Sequence, residues 1–258
     1  PSPPASAAQP SRLKQVLKRV LTGPATPTGP IKPITDAADA TCVGRAFVDA
    51  FTEVDKLVLS RPAGRHTGAT AQVMYLESRA DGRWAHFANC GDAQAVLAVS
   101  VDDSKDWNKT QPALSSRSEA STVSLGDMNK ENMGRRPMAM LVSQIHVASA
   151  PAEAQRVRAA GGEVFMGRVS GQLAVSRAFG DAPFKDCGVV VDPFYTCVKL
   201  CDRFKFVIIG CDGVWDVLTH TEAVECVWGM RDPEAMAQKI VITALRKGTQ
   251  DIVSFIVI

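Results

Sequence analysis

Long apolar runs are missing from this chain: nowhere do eighteen apolar residues follow one another, which excludes a membrane-spanning helix of ordinary length. Paired cysteines are missing too. Seven cysteines (Cys42, Cys90, Cys187, Cys197, Cys201, Cys211, Cys226) are scattered with no CxxC spacing, and four histidines (His66, His86, His146, His220) form no cluster. No zinc-type ligand motif can be assembled from such a set. An odd number of thiols inside apolar stretches reads as reduced cysteine packed as a small hydrophobe, in an intracellular or organelle-matrix protein. Aromatics make up only 6% of the residues, and no base-stacking motif is visible, which argues against a dedicated nucleic-acid surface.

Acid is absent from residues 1–35, which hold Arg12, Lys14, Lys18, Arg19 and Lys32 and eight of the fifteen prolines. Such a composition cannot build a core. Within it "SRLKQVLKRVL" (11–21) places Leu13, Val16, Leu17, Val20 and Leu21 on one helical face, with Gly23-Pro24 as a stop. A basic amphipathic helix in an acid-free leader resembles part of a mitochondrial targeting segment. It suits equally an acidic partner, a membrane surface, RNA phosphates, or the protein's own body. The compartment expected is the mitochondrial matrix, with the cytoplasm as the alternative. The chain begins at Pro1 rather than Met, so residues upstream of it are expected. Outside the arm, 24 basic residues face 27 acidic ones, so the body is mildly acidic.

The body, with 46% apolar residues in the whole chain, can bury a full core. The reading divides the chain into an arm (1–40) and a globular domain (41–258) carrying a solvated insertion at 102–137, where eight Ser/Thr and mixed charges interrupt the pattern. Helical spacing runs through 42–58. Strands are expected at 69–78 and through 83–100, with Asp81-Gly82 as a hairpin signal. A short helix opens at Pro151 and closes at Gly161-Gly162. Residues 168–181 look like a hairpin and "FKFVIIGCDG" like a buried strand. Thr219-x-x-Glu222 is a capping box for a helix through Val227, and Asp232-Pro233 opens another. "IVSFIVI" (252–258) reads as a last, fully buried strand. Grouped strands, paired helices and no βαβ alternation predict α+β layers.

Four stretches, "FANCGDAQAVL", "AAGGEVFMGRVSGQLAVSRAFGD", "VIIGCDGVWDVLTHTEAV" and "ALRKGTQDIVSFIVI", resemble in order and spacing the carboxy-terminal motifs of PP2C-type protein phosphatases, which are metal-dependent Ser/Thr phosphatases. The resemblance covers roughly residues 42–258 apart from the insertion. It implies a β-sandwich of two antiparallel sheets flanked by helices, with amino-terminal strands missing or divergent here. It also implies two-metal hydrolysis, in which a hydroxide shared by two Mn²⁺ or Mg²⁺ ions attacks phosphorus. Asp212 and Asp251 fall where the family places metal ligands, and the backbone at Gly213 lets water approach them closely. The remaining motif residues read as structure: Gly91-Asp92 as a turn, Gly171 as a hairpin tip, Arg177 and Asp181 as paired with each other or bonded to backbone around the "SRAFGD" turn, Trp215 as packing beneath the site.

Against this stand three departures. The family's FDGHGG bridging motif has no counterpart; the only acids before Cys42 are Asp36 and Asp39. The Asp-His or Asp-Asp pair expected ahead of Pro151 reads Ile145-His146, and the final Asp-Asn-x-Thr reads Asp251-Ile252-Val253-Ser254. Losing a polar neighbour of a ligand loosens a metal site. Without metal, Asp212 and Asp251 should repel, raising the proton affinity of one. The function expected is therefore a catalytically inactive pseudophosphatase, a scaffold or interaction subunit of a larger assembly, needing no cofactor, or at most one retained Mn²⁺ or Mg²⁺. Its partners would be proteins, or a ribonucleoprotein reached through Arg12, Lys14, Lys18 and Arg19. The alternatives are an active Mn/Mg-dependent protein Ser/Thr phosphatase whose bridging segment lies elsewhere, and a phosphoserine reader using Arg135 or Arg136.

Overall fold

Helix α1 (Cys42–Leu59) sets Phe47, Phe51 and Val54 on one face, and that face packs onto Ala88, Cys90, Phe179 and Val191. The Phe51 and Phe179 rings meet at 5.0 Å between centroids. These coordinates are a computed structural model that describes residues 42–62, 64, 66–102 and 135–258. The basic arm, with Arg12, Lys14, Lys18 and Arg19, and most of the 102–137 segment lie outside the described residues. The two ends of that segment do not. Asp102 ends one strand, and residues 135–137 begin its sheet neighbour.

The strands in chain order are β1 (Gly68–Ala69), β2 (Ala71–Arg79), β3 (Gly82–Cys90), β4 (Gln94–Asp102), β5 (Arg135–Leu141), β6 (Val164–Phe165), β7 (Arg168–Val169), β8 (Phe179–Gly180), β9 (Phe194–Lys199), β10 (Phe204–Gly210) and β11 (Phe255–Val257). The remaining helices are α2 (Pro151–Ala159), α3 (Ala182–Lys185), α4 (Asp212–Trp215), α5 (His220–Val227) and α6 (Pro233–Arg246). Two antiparallel sheets carry the fold, β2-β3-β9 and β11-β10-β4-β5. Strand alternation decides their faces. Ala95, Leu97 and Val207 meet Ala85, Phe87 and Val198 between the sheets. Val96, Ala98 and Ile208 point the other way, onto Val224, Ile240 and Ala244 of α5 and α6. The layers are thus helix, sheet, sheet, helix, as the α+β sandwich reading requires.

Local signals behave as their chemistry dictates. Arg79 pairs with Gly82 across a two-residue turn, Ala80-Asp81, one position ahead of the Asp81-Gly82 signal. Thr219 accepts from the Glu222 N–H while the Glu222 carboxylate accepts from the Thr219 N–H, a full capping box. Asp232 caps α6, with Pro233 in its first turn.

Two expectations need correction. Residues 168–181 are not one hairpin. β7 pairs back on β6, whereas β8 pairs with the distant β1. A tight turn at Gly171, φ +69°, and a bridge between Val169 and Leu173 divert the chain between them. Nor is 252–258 a fully buried strand. Only Phe255–Val257 is extended, and among the described residues it lies at the sheet edge with β10 as its one neighbour. Ile256 and Ile258 stay about half exposed, and Ile252, ahead of the strand, is 77% exposed; among the described residues no strand pairs with the far side of β11.

Candidate functional site

The β3–β4 turn, the end of β10 and the loop after α6 meet at one edge of the sandwich. Gly91 turns with φ +97°, a conformation glycine adopts freely, and this carries Asp92 toward the opposite sheet's end. At β10 the chain breaks at Cys211 into the short helix α4, whose first residue is Asp212. The loop carrying Asp251 is stitched to that point by four bonds, one of them from the Ser254 N–H to Cys211 Sγ at 3.3 Å. Cys211 N–H donates to Ser254 O at 3.1 Å, Cys211 Sγ–H to Ile252 O at 3.0 Å, and Thr249 Oγ1 to Gly213 O at 2.8 Å. Gly213 is required by this closeness. A Cβ there would stand 2.4 Å from Ile252 O and 3.3 Å from the Asp251 Cβ.

The two sequence-predicted ligands, Asp212 and Asp251, are therefore brought together around Gly213. They gain a neighbour that sequence reading had placed only in a turn. Burial pushes the Asp92 carboxyl above the usual carboxylate range, and the charges of Asp212, Asp216 and Asp251 push it the same way. The like-charge repulsion at this edge falls on Asp92. The signal that could have found Asp92 was an acid beside a glycine at the end of a buried strand, Gly91 preceding Asp92 where Gly213 follows Asp212.

Beneath Asp92 lies His146, fully buried. Its Nδ1 accepts from the Gly91 N–H at 3.3 Å, and its backbone N–H donates to Gly91 O at 3.0 Å. Burial, reinforced by Arg177, lowers the pKa of its imidazole to about 3, so the ring is neutral, and its Nδ1 holds the turn. Its Nε2 has no hydrogen-bond partner. Ile145, by contrast, faces outward, 38% exposed. On the far side Trp215 donates Nε1–H to Gly210 O at 2.9 Å and meets the His220 ring edge-on at 5.2 Å, while His220 Nε2 bonds Gln94 Oε1 at 2.8 Å.

Of the two expectations for Arg177, pairing with Asp181 is not found, while a backbone bond is, from Nη1 to Asp192 O at 2.9 Å. Arg177 reaches Glu153 on α2 instead, with Nη2 at 2.6 Å and Nε at 3.1 Å. Asp181 sits in a left-handed turn ahead of α3, φ 50°. Glu153, 4% exposed, also accepts from Arg156 Nη2 at 2.9 Å and Ser176 Oγ at 2.6 Å. A buried acid draws donors from every segment around it, and Asp181 lies outside that shell.

Carboxylate oxygens are the right donors for Mn²⁺ or Mg²⁺. Their number and placement fit less well. Among the described residues no three His, Cys, Asp or Glu side chains gather closely enough to hold one ion. Asp212 Oδ1 accepts from the Gly213 N–H at 3.0 Å, and Asp251 Oδ1 from the Ile252 N–H at 2.6 Å, so each turns one oxygen back on its own backbone. The described residues make part of a cage, and no hydrolytic step follows from them alone.

Comparison with known proteins agrees with this architecture. The family model for protein phosphatase 2C matches residues 32–253. The chain is 34% identical over 211 residues to Protein phosphatase 2C homolog 1 of Saccharomyces cerevisiae, a match covering 81% of this chain and 66% of that protein. It is 33% identical over 189 residues to Probable protein phosphatase 2C 8 of Arabidopsis thaliana, covering 72% of this chain and 47% of the relative. These relatives thus extend well beyond the length the chain matches. Among solved structures, a serine-threonine phosphatase 2C from Toxoplasma gondii superposes with a TM-score of 0.60 at 16% identity, covering 96% of this chain and 75% of that one. A sex determining protein from C. elegans does so with 0.64 at 19% identity, covering 95% and 50%. At those identities the likeness is one of fold.

Proposed function

The chain belongs to the protein phosphatase 2C family, and from that premise we propose that it is a pseudophosphatase: a phosphatase-fold domain that does not turn over phosphoesters by itself and serves as an interaction subunit. The observation that carries this reading is the state of the aspartate edge. Asp92, Asp212 and Asp251 converge, yet the positions where the family resemblance calls for a further acid and a polar neighbour hold Ile145 and Ile252, both exposed. Apolar side chains there neither ligate an ion nor orient its ligands. The partners are proteins of a larger assembly, or a ribonucleoprotein, engaged through Arg12, Lys14, Lys18 and Arg19. The acid-free arm suggests the mitochondrial matrix.

A second reading is favoured by one observation, the survival of Asp212 and Asp251 side by side around a glycine that admits no other residue. In it the chain contributes half of an Mn²⁺- or Mg²⁺-dependent protein Ser/Thr phosphatase site, and the bridging acids come from residues beyond those described.

Calorimetric titration of the chain with Mn²⁺ separates the two without relying on activity. The pseudophosphatase reading expects at most one ion, held at about millimolar strength or weaker, with the signal lost in Asp212→Asn. Two ions bound per chain at micromolar concentration would overturn it.

A further inference from the structure

Each strand that meets the aspartate edge at one end meets a basic surface at the other. β3 reaches that edge at Cys90 and begins at Gly82, β4 ends at Asp102, and β10 begins at Phe204. With nine residues in β3, the far end of the sandwich lies about 30 Å from the aspartates. Three connections meet there. Leu200, after β9, donates its N–H to Arg83 O at 2.8 Å, and Ser100 of β4 donates its own to Arg203 O at 2.8 Å. Arg136 of β5 pairs with Val101 of β4. The β9–β10 turn thus crosses from one sheet to the other and makes their ends one continuous surface.

Among the described residues, the exposed charged side chains of this end are five cations, Arg83, Arg136, Lys199, Arg203 and Lys205, against two acids, Asp81 and Asp202. The half-buried Arg79 and Glu77 pair with each other and cancel. Outside the arm the chain carries 24 basic residues against 27 acidic ones, so this end reverses the sign of the body. Several of its cations are oriented. Lys199 Nζ donates to Asp81 Oδ2 at 3.1 Å. Lys205 Nζ donates to Asp202 O at 2.8 Å, a backbone carbonyl that orients the charge without neutralising it. At physiological salt charges are screened over about 8 Å, far less than the length of the strands, so the aspartate edge does not cancel this field.

We propose that this end of the sandwich is a docking surface for a run of acidic side chains in a protein partner. Carboxylates fit it better than a nucleic acid does. Arg79 and Lys199 stand over the Trp84 ring, 5.0 and 5.9 Å from its centre, and Phe204 packs between the sheets. The rings at this end are therefore engaged by the protein itself, whereas single-stranded nucleic acid is gripped by stacking on aromatic faces. Asp81 and Asp202 also interrupt the basic tract that a phosphate backbone would follow, while separate carboxylates each take one cation. The surface is distinct from the basic arm, and it stands whether or not the aspartate edge turns over phosphoesters.

Hydrogen exchange on the purified 258-residue chain, with a ten-glutamate peptide as the probe, tests this. The peptide should slow exchange in residues 79–84 and 199–205 about threefold, and the effect should fade as salt rises. In Arg83→Glu with Lys205→Glu the peptide concentration required should rise about tenfold, and Arg83→Gln with Lys205→Gln should fall between. Charge reversal of Arg12, Lys14, Lys18 and Arg19 should leave protection of these two segments unchanged. No protection there at millimolar peptide overturns the proposal, as does protection that survives the Arg83 and Lys205 reversals. A ten-nucleotide uridine RNA that protects the same amides at lower concentration than the peptide also overturns it, because the surface would then be one for nucleic acid.

Discussion

Replacing Glu153 by Gln probes the polar centre that joins α2 to the segment around Arg177. The Glu153 side chain is 5% exposed and that of Arg177 17%, so solvent does little to screen the pair. Burial alone would push the Glu153 carboxyl up. Hydrogen bonds from Arg177, Arg156 and Ser176 outweigh it and hold the group well below the usual carboxylate range. Glutamine keeps the shape but not the charge, leaving two guanidinium groups without a counterion. Removing one member of a buried pair costs about 3–5 kcal/mol. The residual amide bonds place Glu153→Gln at the lower end, about 3 kcal/mol, or a Tm lowered by about 6–12 °C for a chain of this size. The pH dependence has a definite sign. An acid whose folded pKa is depressed stabilises the fold above its unfolded value, about 4.3, and loses that contribution as pH falls further. Denaturant melts at pH 7 and below pH 4 should therefore show a gap between the two proteins that narrows on acidification. A variant within about 0.5 kcal/mol of the parent at pH 7, or a gap that widens in acid, would refute the reasoning.

Asp92→Asn should stabilise the metal-free protein at neutral pH by about 1 kcal/mol or less. Its carboxyl is raised by burial and by Asp212, Asp216 and Asp251, so the charged form is the costly one, and the gain should vanish on acidification. Gly213→Ala should cost about 1–3 kcal/mol through overpacking, since the new Cβ lands 2.4 Å from Ile252 O; a denaturant midpoint unchanged from the parent would count against the stitched edge. His146, lowered to about 3 chiefly by burial, binds its proton more weakly folded than unfolded. Stability should fall as pH drops below about 6.5, and His146→Leu should flatten that limb of the pH–stability curve even though it forfeits the bond to Gly91.

Features written in neighbouring residues were legible without coordinates. The Thr219–Glu222 box, the prolines opening α2 and α6, and the hairpin turn signalled by Asp81-Gly82 each act over three or four positions, and the structure forms each of them. Features that depend on what lies across the fold were not. Asp92 read as a turn residue because its closeness to Asp212 and Asp251 is created by two loops from different strands. His146 lies under Gly91 only because the chain returns there after the 102–137 segment. Arg177 reads as a partner of Asp181 or of nearby backbone, whereas its carboxylate partner Glu153 stands on another element. The apolar run at 252–258 misled for a further reason: hydrophobicity marks a strand but does not say whether it has one neighbour or two. Gly213 and Asp212 were legible as a pair, whereas the reason no larger residue fits at 213 is a carbonyl from the last loop.

The most direct test is Mn²⁺-dependent hydrolysis of an aryl phosphate by this chain, beside Asp212→Asn, at millimolar Mn²⁺. The account predicts no turnover above that variant. Turnover abolished by Asp212→Asn would contradict it, and would place a working metal centre at the aspartate edge.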